Sequence, residues 1–417
     1  MKITAIKTFL MHAGSPSLKS WAADGSFGTQ QFSGNLTGTR NWLFVKVYTD
    51  EGVVGIGECS GWPRVIETAV QDLKALLIGE DPQHIERLWQ KMQIAIMGHG
   101  MTGTVGAGAM TGIDVALWDI KGKVLGVPVW SLLGGQVRSQ VRMYAHANTP
   151  EAAIALKARG VTALKCGGVS DPVRKVAALR EAVGDDIDLM IDLHGPPWLT
   201  PSDAATLARQ LEPYKLLFME DPVAPDNLEG YQRIRDASDI PLAAGERMAT
   251  IFGLRELIER ELVDVVQPDT GRAGGITQMK KIAAMAEAHH IMMAPHSGSL
   301  GPVADKYAAL HLLAAIPNTL FLERIEDDWD GRARTALPAL HQENGFLKVP
   351  NAPGLGVDID EDFVARFPSQ GNVSVPIGKN TTSYAERTFD EHVYVQSRVK
   401  RASYFPNKKI QQRLKTS

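Results

Sequence analysis

Cysteine and long apolar runs are scarce in this sequence. Two cysteines, Cys59 and Cys166, occur among 417 residues, and they lack the spacing of paired metal ligands. No disulfide framework is indicated, and a reducing cytoplasm is the expected location. The uncharged stretch 94–113 is interrupted by His99 and several glycines, so it does not resemble a membrane span. The N-terminus alternates apolar and polar residues, which is typical of a strand and not of a signal peptide.

A large excess of charge of either sign is also missing. The chain has 44 Lys and Arg against 47 Asp and Glu, a formal net charge of −3, and 44% hydrophobic residues. This ordinary balance gives no reason to expect nucleic acid or a membrane as partner. The local exception is the segment 371–417, whose nine basic and three acidic residues give a net charge of +6. We interpret this segment as a solvated or subunit-packing extension.

The first 130 residues have the pattern of an α+β domain. The stretch "NWLFVKVYTDEGVVGIGE" predicts two strands around an Asp-Glu-Gly turn. Three helical patterns follow, over 63–79, over 82–96 and over "AMTGIDVALWDIKGKVLG", which ends at Gly126. The polar segment 13–40 is too long for a simple connector, and long loops of this kind often cover or bind a ligand.

From about residue 140 the chain alternates short β-rich runs with helix-like stretches. The runs end near Ala145, Lys165, Asp192, Glu220, Glu246, Asp269, His296 and Glu323. From Lys165 onward, successive ends are 27, 28, 26, 23, 27 and 27 residues apart. Because parallel strands need a crossover between them, eight such units predict an α/β fold of the (β/α)8 TIM barrel type.

Ionisable residues stand at seven successive strand ends, beginning with Lys165. Any one of them could be a helix cap or part of a salt bridge, but crowded carboxylates repel unless a cation lies among them. Asp192, Glu220 and Glu246 come from three adjacent strands and should meet at the barrel mouth. Three oxygen ligands favour Mg²⁺, and Zn²⁺ is the alternative because His194 is close by.

The stretch "LMIDLHGPP" places Asp192 and His194 two positions apart at the end of a strand-like run. Residues i and i+2 of a strand point to the same side, so both side chains should share one space. The pattern alone leaves three interpretations open: two ligands of one metal, an acid–base pair, or a polar strand end without chemistry.

The next two strand ends carry Asp269 and His296. Asp269 could hydrogen-bond one imidazole nitrogen and raise the basicity of the other, although a histidine can also be paired with a carboxylate without catalysis. A metal, a base and a cationic Lys165 around one cavity suit proton removal α to a carboxylate, because negative charge builds up on the substrate oxygens. Glu323, if protonated, or Lys165 could donate a hydrogen bond to that carboxylate.

The chain resembles the enolase superfamily, mandelate racemase subgroup, over roughly residues 1–365. The resemblance depends on several pieces together: "GIDVALWDIKGKVLGVPVWSLLGG", "MIDLHG", "LFMEDPV", "PLAAGER", "VVQPDTGRAGGIT", "APHS", "LERI" and "PGLGVDID". It implies a modified TIM barrel over 131–324 and an N-terminal α+β capping domain over 1–130, which the segment 325–417 joins. Sites of this superfamily combine a Lys or His base with Mg²⁺. Relatives commonly form even-numbered assemblies, so a homo-oligomer is expected.

Within the subgroup, the chain is most similar to acid-sugar dehydratases of the D-galactonate dehydratase type. The resemblance implies that Asp192, Glu220 and Glu246 are the Mg²⁺ ligands. It also implies that Asp269 and His296 form the catalytic dyad, with His296 taking the C2 proton of a sugar acid. His194 would protonate the departing C3 hydroxyl, Glu323 would bind the substrate carboxylate, and Lys165 would contact it as well. The expected product is a 2-keto-3-deoxy acid.

The sequence departs from the family pattern at one position. Mandelate racemase-like members of the family usually carry Lys-x-Lys at the end of the second barrel strand, with the second Lys as the opposite-face base, whereas this chain has Lys165, Cys166 and Gly167. Because glycine cannot transfer a proton, a two-base racemisation loses one partner and elimination is favoured. The alternatives are an epimerase, a cycloisomerase, a mannonate-type dehydratase, or a non-catalytic protein that binds an acid sugar. A non-catalytic relative would be expected to lose part of the metal trio or the dyad, and this chain keeps both.

Overall fold

The computed structural model describes residues 1–13, 41–99, 103–169, 171–193, 198–297, 301–324 and 331–369. Nearly all of the predicted covering loop 13–40, the basic segment 371–417 and His194 lie outside these ranges. The described part contains no helix that is long and apolar enough to cross a membrane.

The N-terminal part is an antiparallel three-stranded sheet packed against three helices. Its strands are β1 (Ile3–His12), β2 (Asn41–Thr49) and β3 (Val54–Cys59), in the order β1-β2-β3. The helices are Pro63–Leu77, Ile85–Ile96 and Thr104–Leu125, followed by a short helix Val129–Leu132. Val45, Val70 and Ile113, one from the sheet and one from each of two helices, are buried in a shared apolar core.

Two of the predicted helix starts differ from the structure. The helix expected from residue 82 begins at Ile85, because Asp81 turns the chain first: its Oδ1 accepts a hydrogen bond from the Gln83 amide (3.0 Å). The third helix begins at Thr104, earlier than its apolar pattern indicates. Its first turns contain glycine because a Cβ at Gly108 would lie 2.6 Å from the Ser60 carbonyl oxygen.

Eight parallel strands form the barrel. They are β4 (Gln140–His146), β5 (Ala163–Gly167), β6 (Asp188–Asp192), β7 (Phe218–Glu220), β8 (Leu242–Ala244), β9 (Val265–Val266), β10 (Met292–Met293) and β11 (Leu322–Arg324). Neighbours in sequence pair in parallel from β4 to β10, and β11 pairs with β4. The Met293 amide donates to the Asn318 carbonyl (2.7 Å), which joins β10 to the segment before β11 and closes the ring.

Helices connect the barrel strands, as the period of the sequence predicts. They are Pro150–Ala158, Pro172–Val183, Pro201–Leu211, Leu228–Arg235, Thr250–Glu259, Gly275–Ala288 and Ala309–Ala315, with a short 3₁₀ turn at Glu212–Tyr214 and a π-helix at Val303–Ala308. A further 3₁₀ turn, Met97–His99, follows the helix Ile85–Ile96 in the N-terminal part. This architecture confirms the expected α/β barrel with an N-terminal capping part.

The chain after the barrel folds back onto both parts. It forms β12 (Ala336–Leu337), β13 (Gln342–Glu343), β14 (Phe346–Lys348), β15 (Asp358–Ile359) and helices Arg332–Thr335 and Glu361–Ala365. Strand β14 pairs antiparallel with β4 of the barrel. Near its end, the Phe367 carbonyl accepts from the His12 amide of β1 (2.8 Å). The domain limits at residues 130 and 324 stay a prediction.

Candidate active site

An apolar layer fills the middle of the barrel. Its members come one from each strand or from the residue next to it: Tyr144, Ala163, Met190, Phe218, Ala243, Val265, Ala294 and Phe321. All eight are buried and form one contiguous apolar cluster. Because side chains two positions apart point to the same side of a strand, this layer fixes which residues come next towards the barrel mouth.

Two residues further along each strand lies a layer that is almost entirely polar. It consists of His146, Lys165, Asp192, Glu220, Gly245, Gln267, His296 and Glu323. Five of the predicted site residues belong to it. Glu246 and Asp269 lie in the loops after β8 and β9, since those strands end at Ala244 and Val266, earlier than predicted. Gly245 has φ of +129°, a conformation that favours glycine, and it redirects the chain so that Glu246 follows at the mouth.

Lys165 lies at the centre of a carboxylate cluster. Its Nζ is 2.8 Å from Glu220 Oε2, 2.9 Å from Glu323 Oε1 and 3.5 Å from Asp192 Oδ2, and its side chain is 1% exposed. Burial opposes the charged form, but the carboxylates of Glu220 and Glu323 outweigh it and hold the pKa of Lys165 well above its usual range. The charged form of Lys165 is therefore favoured in this site.

His296 and Asp269 meet as the sequence predicts. His296 Nδ1 is 2.8 Å from Asp269 Oδ2, and its Nε2 is 2.9 Å from Glu246 Oε2. Burial lowers the pKa of His296, but the charges of Glu246 and Glu323 outweigh this and raise it well above its usual value. Asp269 fixes the orientation of the ring, and Nε2 is the nitrogen that faces the carboxylate cluster.

Glu323 is ionised in this arrangement. Its Oε1 accepts from Lys165 Nζ and lies 2.7 Å from His146 Nε2, and its Oε2 accepts from the Ser297 amide (2.7 Å). Burial alone would raise its pKa, but Lys165 and His296 hold the pKa of Glu323 well below its usual range. Of the two donors expected for a substrate carboxylate, the structure favours Lys165 over a protonated Glu323.

The remaining charges at the mouth are paired by Arg247. Its Nη1 contacts Asp221 Oδ2 and lies 2.7 Å from Glu246 Oε1. The guanidinium also lies over the Trp198 ring, 5.1 Å from the centroid. Burial opposes the charged form, but the carboxylates of Glu246 and Asp221 raise the pKa of Arg247. Arg247 thereby fixes the position of one predicted metal ligand.

Two polar residues of the layer, His146 and Gln267, were missed when strand ends were identified by charge. His146 contacts Glu323 as described, and Gln267 Nε2 donates to Glu220 Oε2 (2.9 Å). Burial lowers the pKa of His146 more than Glu323 raises it, which favours the neutral imidazole. His146 and Gln267 each follow a residue of the apolar layer, Tyr144 or Val265, by two positions. This spacing identifies them only when the register of the strands is known.

The composition of the site fits a divalent cation. Five buried carboxylates, Asp192, Glu220, Glu246, Asp269 and Glu323, face the cations Lys165 and His296, with Arg247 and Arg272 at the edge of the cluster, so the carboxylates still outnumber the cations. Glu220 Oε1 is buried without a hydrogen-bond partner among the described residues. Within those residues, however, no three His, Cys, Asp or Glu side chains converge as a preformed metal site. Lys165, His296 and Arg247 hold the three predicted ligands in this arrangement.

Known proteins are similar to this chain in both fold and sequence. Residues 29–134 match the mandelate racemase / muconate lactonizing enzyme N-terminal domain, and residues 149–363 match the enolase C-terminal domain-like family. D-galactonate dehydratase from Ralstonia pickettii is 40% identical, over 78% of this chain and 90% of that protein.

Two solved structures are similar over nearly the same span. The 3,6-anhydro-D-galactonate cycloisomerase from Zobellia galactanivorans has a TM-score of 0.78 and 33% identity, and the match covers 89% of this chain and 100% of that one. An enolase from Pantoea ananatis with bound D-gluconate and Mg has a TM-score of 0.77 and 29% identity, over 88% of this chain and 95% of that one. The chain therefore belongs to the enolase superfamily, in its mandelate racemase / muconate lactonizing enzyme subgroup.

Proposed function

We propose that this protein is a hydro-lyase that dehydrates an acid sugar, a galactonate-like aldonate or aldarate, to a 2-keto-3-deoxy acid. The observation that carries the proposal is the 2.8 Å contact of His296 with Asp269 beside a buried carboxylate cluster. The 40% identity to a D-galactonate dehydratase supports the same substrate class.

In this proposal neutral His296 removes the proton from C2 of the substrate. The charges of Glu246 and Glu323 raise the pKa of His296, and a divalent cation held by Glu246 would offset that charge and favour the neutral ring. Asp269 holds Nδ1, so Nε2 is the basic nitrogen. A second proton must reach the C3 oxygen so that it leaves as water, and the resulting enol tautomerises to the keto acid. We assign this second proton to His194, as the family resemblance implies, although His194 lies outside the described residues. Gly167 ends β5 where racemases have their second base, and it has no side chain to serve as one.

Asp192, Glu220 and Glu246 would hold Mg²⁺ in this proposal. When bound, Mg²⁺ would offset the negative charge that develops on the substrate carboxylate as C2 loses its proton. Lys165 Nζ and His146 Nε2 both contact Glu323 Oε1, whereas the Ser297 amide donates to Glu323 Oε2. We assign the contact with the substrate carboxylate to Lys165, because neutral His146 has a single N–H and directs it to Glu323. The Lys165 ammonium is in place before the reaction, which is the condition for effective electrostatic stabilisation.

A panel of mono- and diacid sugars, incubated with the enzyme and Mg²⁺, tests the function. The expected product reacts with a 2-keto-acid trap and differs from its substrate by the mass of one water. The same incubation with EDTA should give no product. If no acid sugar yields a keto product, the dehydratase proposal is wrong.

A cycloisomerase is the second candidate. The cycloisomerase of known structure is 33% identical to this chain, and the match covers all of that protein. Cycloisomerisation needs one base and no departing water, so the loss of a second lysine does not oppose it. Mass spectrometry separates the two reactions. An isomerised product of 3,6-anhydro-D-galactonate has unchanged mass, whereas a dehydrated product of D-galactonate has lost water.

Magnesium should stabilise the wild-type protein and fail to stabilise Glu220→Gln. A ligand that binds only the folded state stabilises it by about 2.7 kcal/mol at 100 times its Kd. Glu220→Gln removes one predicted ligand while its amide oxygen can still accept from Gln267. Thermal unfolding with and without Mg²⁺ measures the difference.

Asp264→Asn is the matched control for this experiment. Asp264 also accepts from a cation, with its Oδ2 3.0 Å from Arg235 Nη1, but it precedes β9 at the opposite end of the barrel. Asp264→Asn should be stabilised by Mg²⁺ as much as the wild type. An equal shift in Glu220→Gln and wild type would contradict the assignment of Glu220.

A further inference from the structure

The π-helix Val303–Ala308 is an unusual element directly behind the site. All six of its residues are buried, and it precedes the regular helix Ala309–Ala315. π-Helices are rare, and they occur frequently at functional sites because they place a side chain that a regular helix would direct elsewhere. Two adjacent charged residues of this helix, Asp305 and Lys306, point to the loops that carry the site.

Lys306 joins two strand ends of the barrel. Its Nζ donates to the Glu323 carbonyl (2.8 Å), to the Ser297 carbonyl (2.8 Å) and to the Ser297 hydroxyl. Ser297 follows His296 directly, and its amide donates to Glu323 Oε2 (2.7 Å). The three donors of the ammonium therefore all bind groups beside His296 and Glu323.

Asp305 makes the corresponding contact with the third loop. Its Oδ1 accepts from the Gly271 amide (3.0 Å), two residues after Asp269. The Asp305 carbonyl also accepts from the Ser297 hydroxyl (2.9 Å). The π-helix thus contacts the loop after Asp269, the loop after His296 and the strand of Glu323.

The start of the π-helix is fixed by the capping part. Glu58 of β3 accepts from the Val303 amide (2.6 Å) and the Ala304 amide (3.0 Å) with one carboxylate oxygen. A Cβ on Gly301 would lie 1.7 Å from the other oxygen of Glu58, so only glycine permits this approach. The capping sheet therefore holds the element on which Lys306 is mounted.

Burial of an ammonium at this place is costly. Burial lowers the pKa of Lys306 to about 7. An apolar residue could occupy the position without this cost, since replacing buried charge by well-packed apolar groups is often neutral or stabilising. A role for this amino group as a hydrogen-bond donor to Ser297 and Glu323 explains why a lysine occupies the position.

We propose that Lys306 is a positioning residue that fixes His296 and Glu323 relative to each other through Ser297 and the Glu323 main chain. This inference rests on the proposed function for its kinetic consequences. The geometric part, the placement of the His296 ring, does not depend on the reaction catalysed.

Lys306→Met and Lys306→Arg, with Tyr307→Phe as control, test the proposal. Tyr307 is the next residue of the same π-helix, and its hydroxyl donates to the Pro338 carbonyl, which belongs to no strand end of the site. Lys306→Met should lower kcat about 100-fold with KM changed less than about threefold, because misplacement by about 1 Å costs that much. Lys306→Arg should have a kcat about tenfold higher than that of Lys306→Met, since the guanidinium again supplies hydrogen-bond donors. Tyr307→Phe should lose stability and keep kcat within about twofold.

A measurement on the folded protein without substrate separates this inference from the function. In ¹⁵N-histidine NMR spectra, the His296 signal, assigned with His296→Asn, should move in Lys306→Met and stay in place in Tyr307→Phe. Equal losses of kcat in Lys306→Met and Tyr307→Phe, or an unmoved His296 signal, would overturn the positioning role. If the wild type dehydrates no acid sugar but the His296 signal moves in Lys306→Met, the proposed function is wrong and the positioning role stands.

Discussion

Replacing His296 with asparagine is expected to lower turnover of the acid sugar by about 10³-fold, within the 10²–10⁴-fold typical of a positioned acid or base. Asparagine can still accept or donate at the position of Nδ1, 2.8 Å from Asp269 Oδ2, but it cannot take a proton from C2. Mg²⁺ and acid-sugar binding, measured by calorimetry, should therefore be retained. Steady-state kinetics with the best substrate of the panel gives the loss.

His289→Asn is the control for this variant. His289 also pairs with a carboxylate, with its Nδ1 3.3 Å from Glu261 Oε1, but the two residues lie in the connections that lead into β10 and β9, at the end of the barrel opposite the mouth. It should change turnover by less than about twofold, as surface substitutions usually have small effects. Retained turnover in His296→Asn would mean that another group is the base.

Lys165→Met is expected to lower the free energy of unfolding by about 3–5 kcal/mol, the usual cost of removing one partner from a buried ionic group. Methionine fills a volume similar to that of lysine, so the decrease in the free energy of unfolding measures the contribution of the ammonium charge. Without the ammonium, Glu220 and Glu323 would face each other and Asp192 in a buried site, where like charges repel. Urea unfolding in EDTA measures the change.

Lys215→Met gives the comparison for an exposed pair. Lys215 Nζ is 3.0 Å from Asp185 Oδ2, close to the distances at Lys165, but both side chains are largely exposed. Exposed pairs contribute about 0–1 kcal/mol, so this variant should unfold almost like wild type. A similar small loss in Lys165→Met would show that the cluster does not need the ammonium. Addition of Mg²⁺ should recover part of the loss in Lys165→Met, because a second cation then compensates the carboxylates.

The barrel could be predicted from the sequence because the spacing between successive strand ends depends on the length of each strand–helix unit and not on its exact residues. Each unit needs one short strand and one helix, so Lys165, Asp192 and Glu220 recur at 27 and 28 residues even where the units share little sequence. The limits of the short strands could not be predicted, since β9 and β10 contain two residues each and are defined by their neighbours. The glycines at the start of Thr104–Leu125 resemble a loop until the sheet against which they pack is known.

The charged members of the site could be predicted, and the residues that hold them could not. His296 and Asp269 stand out because they carry ionisable groups at strand ends. Lys306 lies ten residues beyond His296 in a helix, and its role depends on a π-helical turn that no local pattern specifies. His146 and Gln267 need the strand register, which is fixed by pairing between distant segments.

The C-terminal segment contacts β1 and β2, and these contacts can form only after that segment has been synthesised. Lys46 of β2 pairs with Glu361, 315 residues later, at 2.6 Å, and Met11 bridges to Pro368 at the outer edge of β1. At about 5–20 residues per second, a ribosome needs roughly 16–60 s to deliver these partners. During that interval the edge of β1 near Met11 is open to pairing with other chains, and an unpaired strand edge favours aggregation. The nascent N-terminal sheet therefore has an uncovered edge until the C-terminal segment has been made.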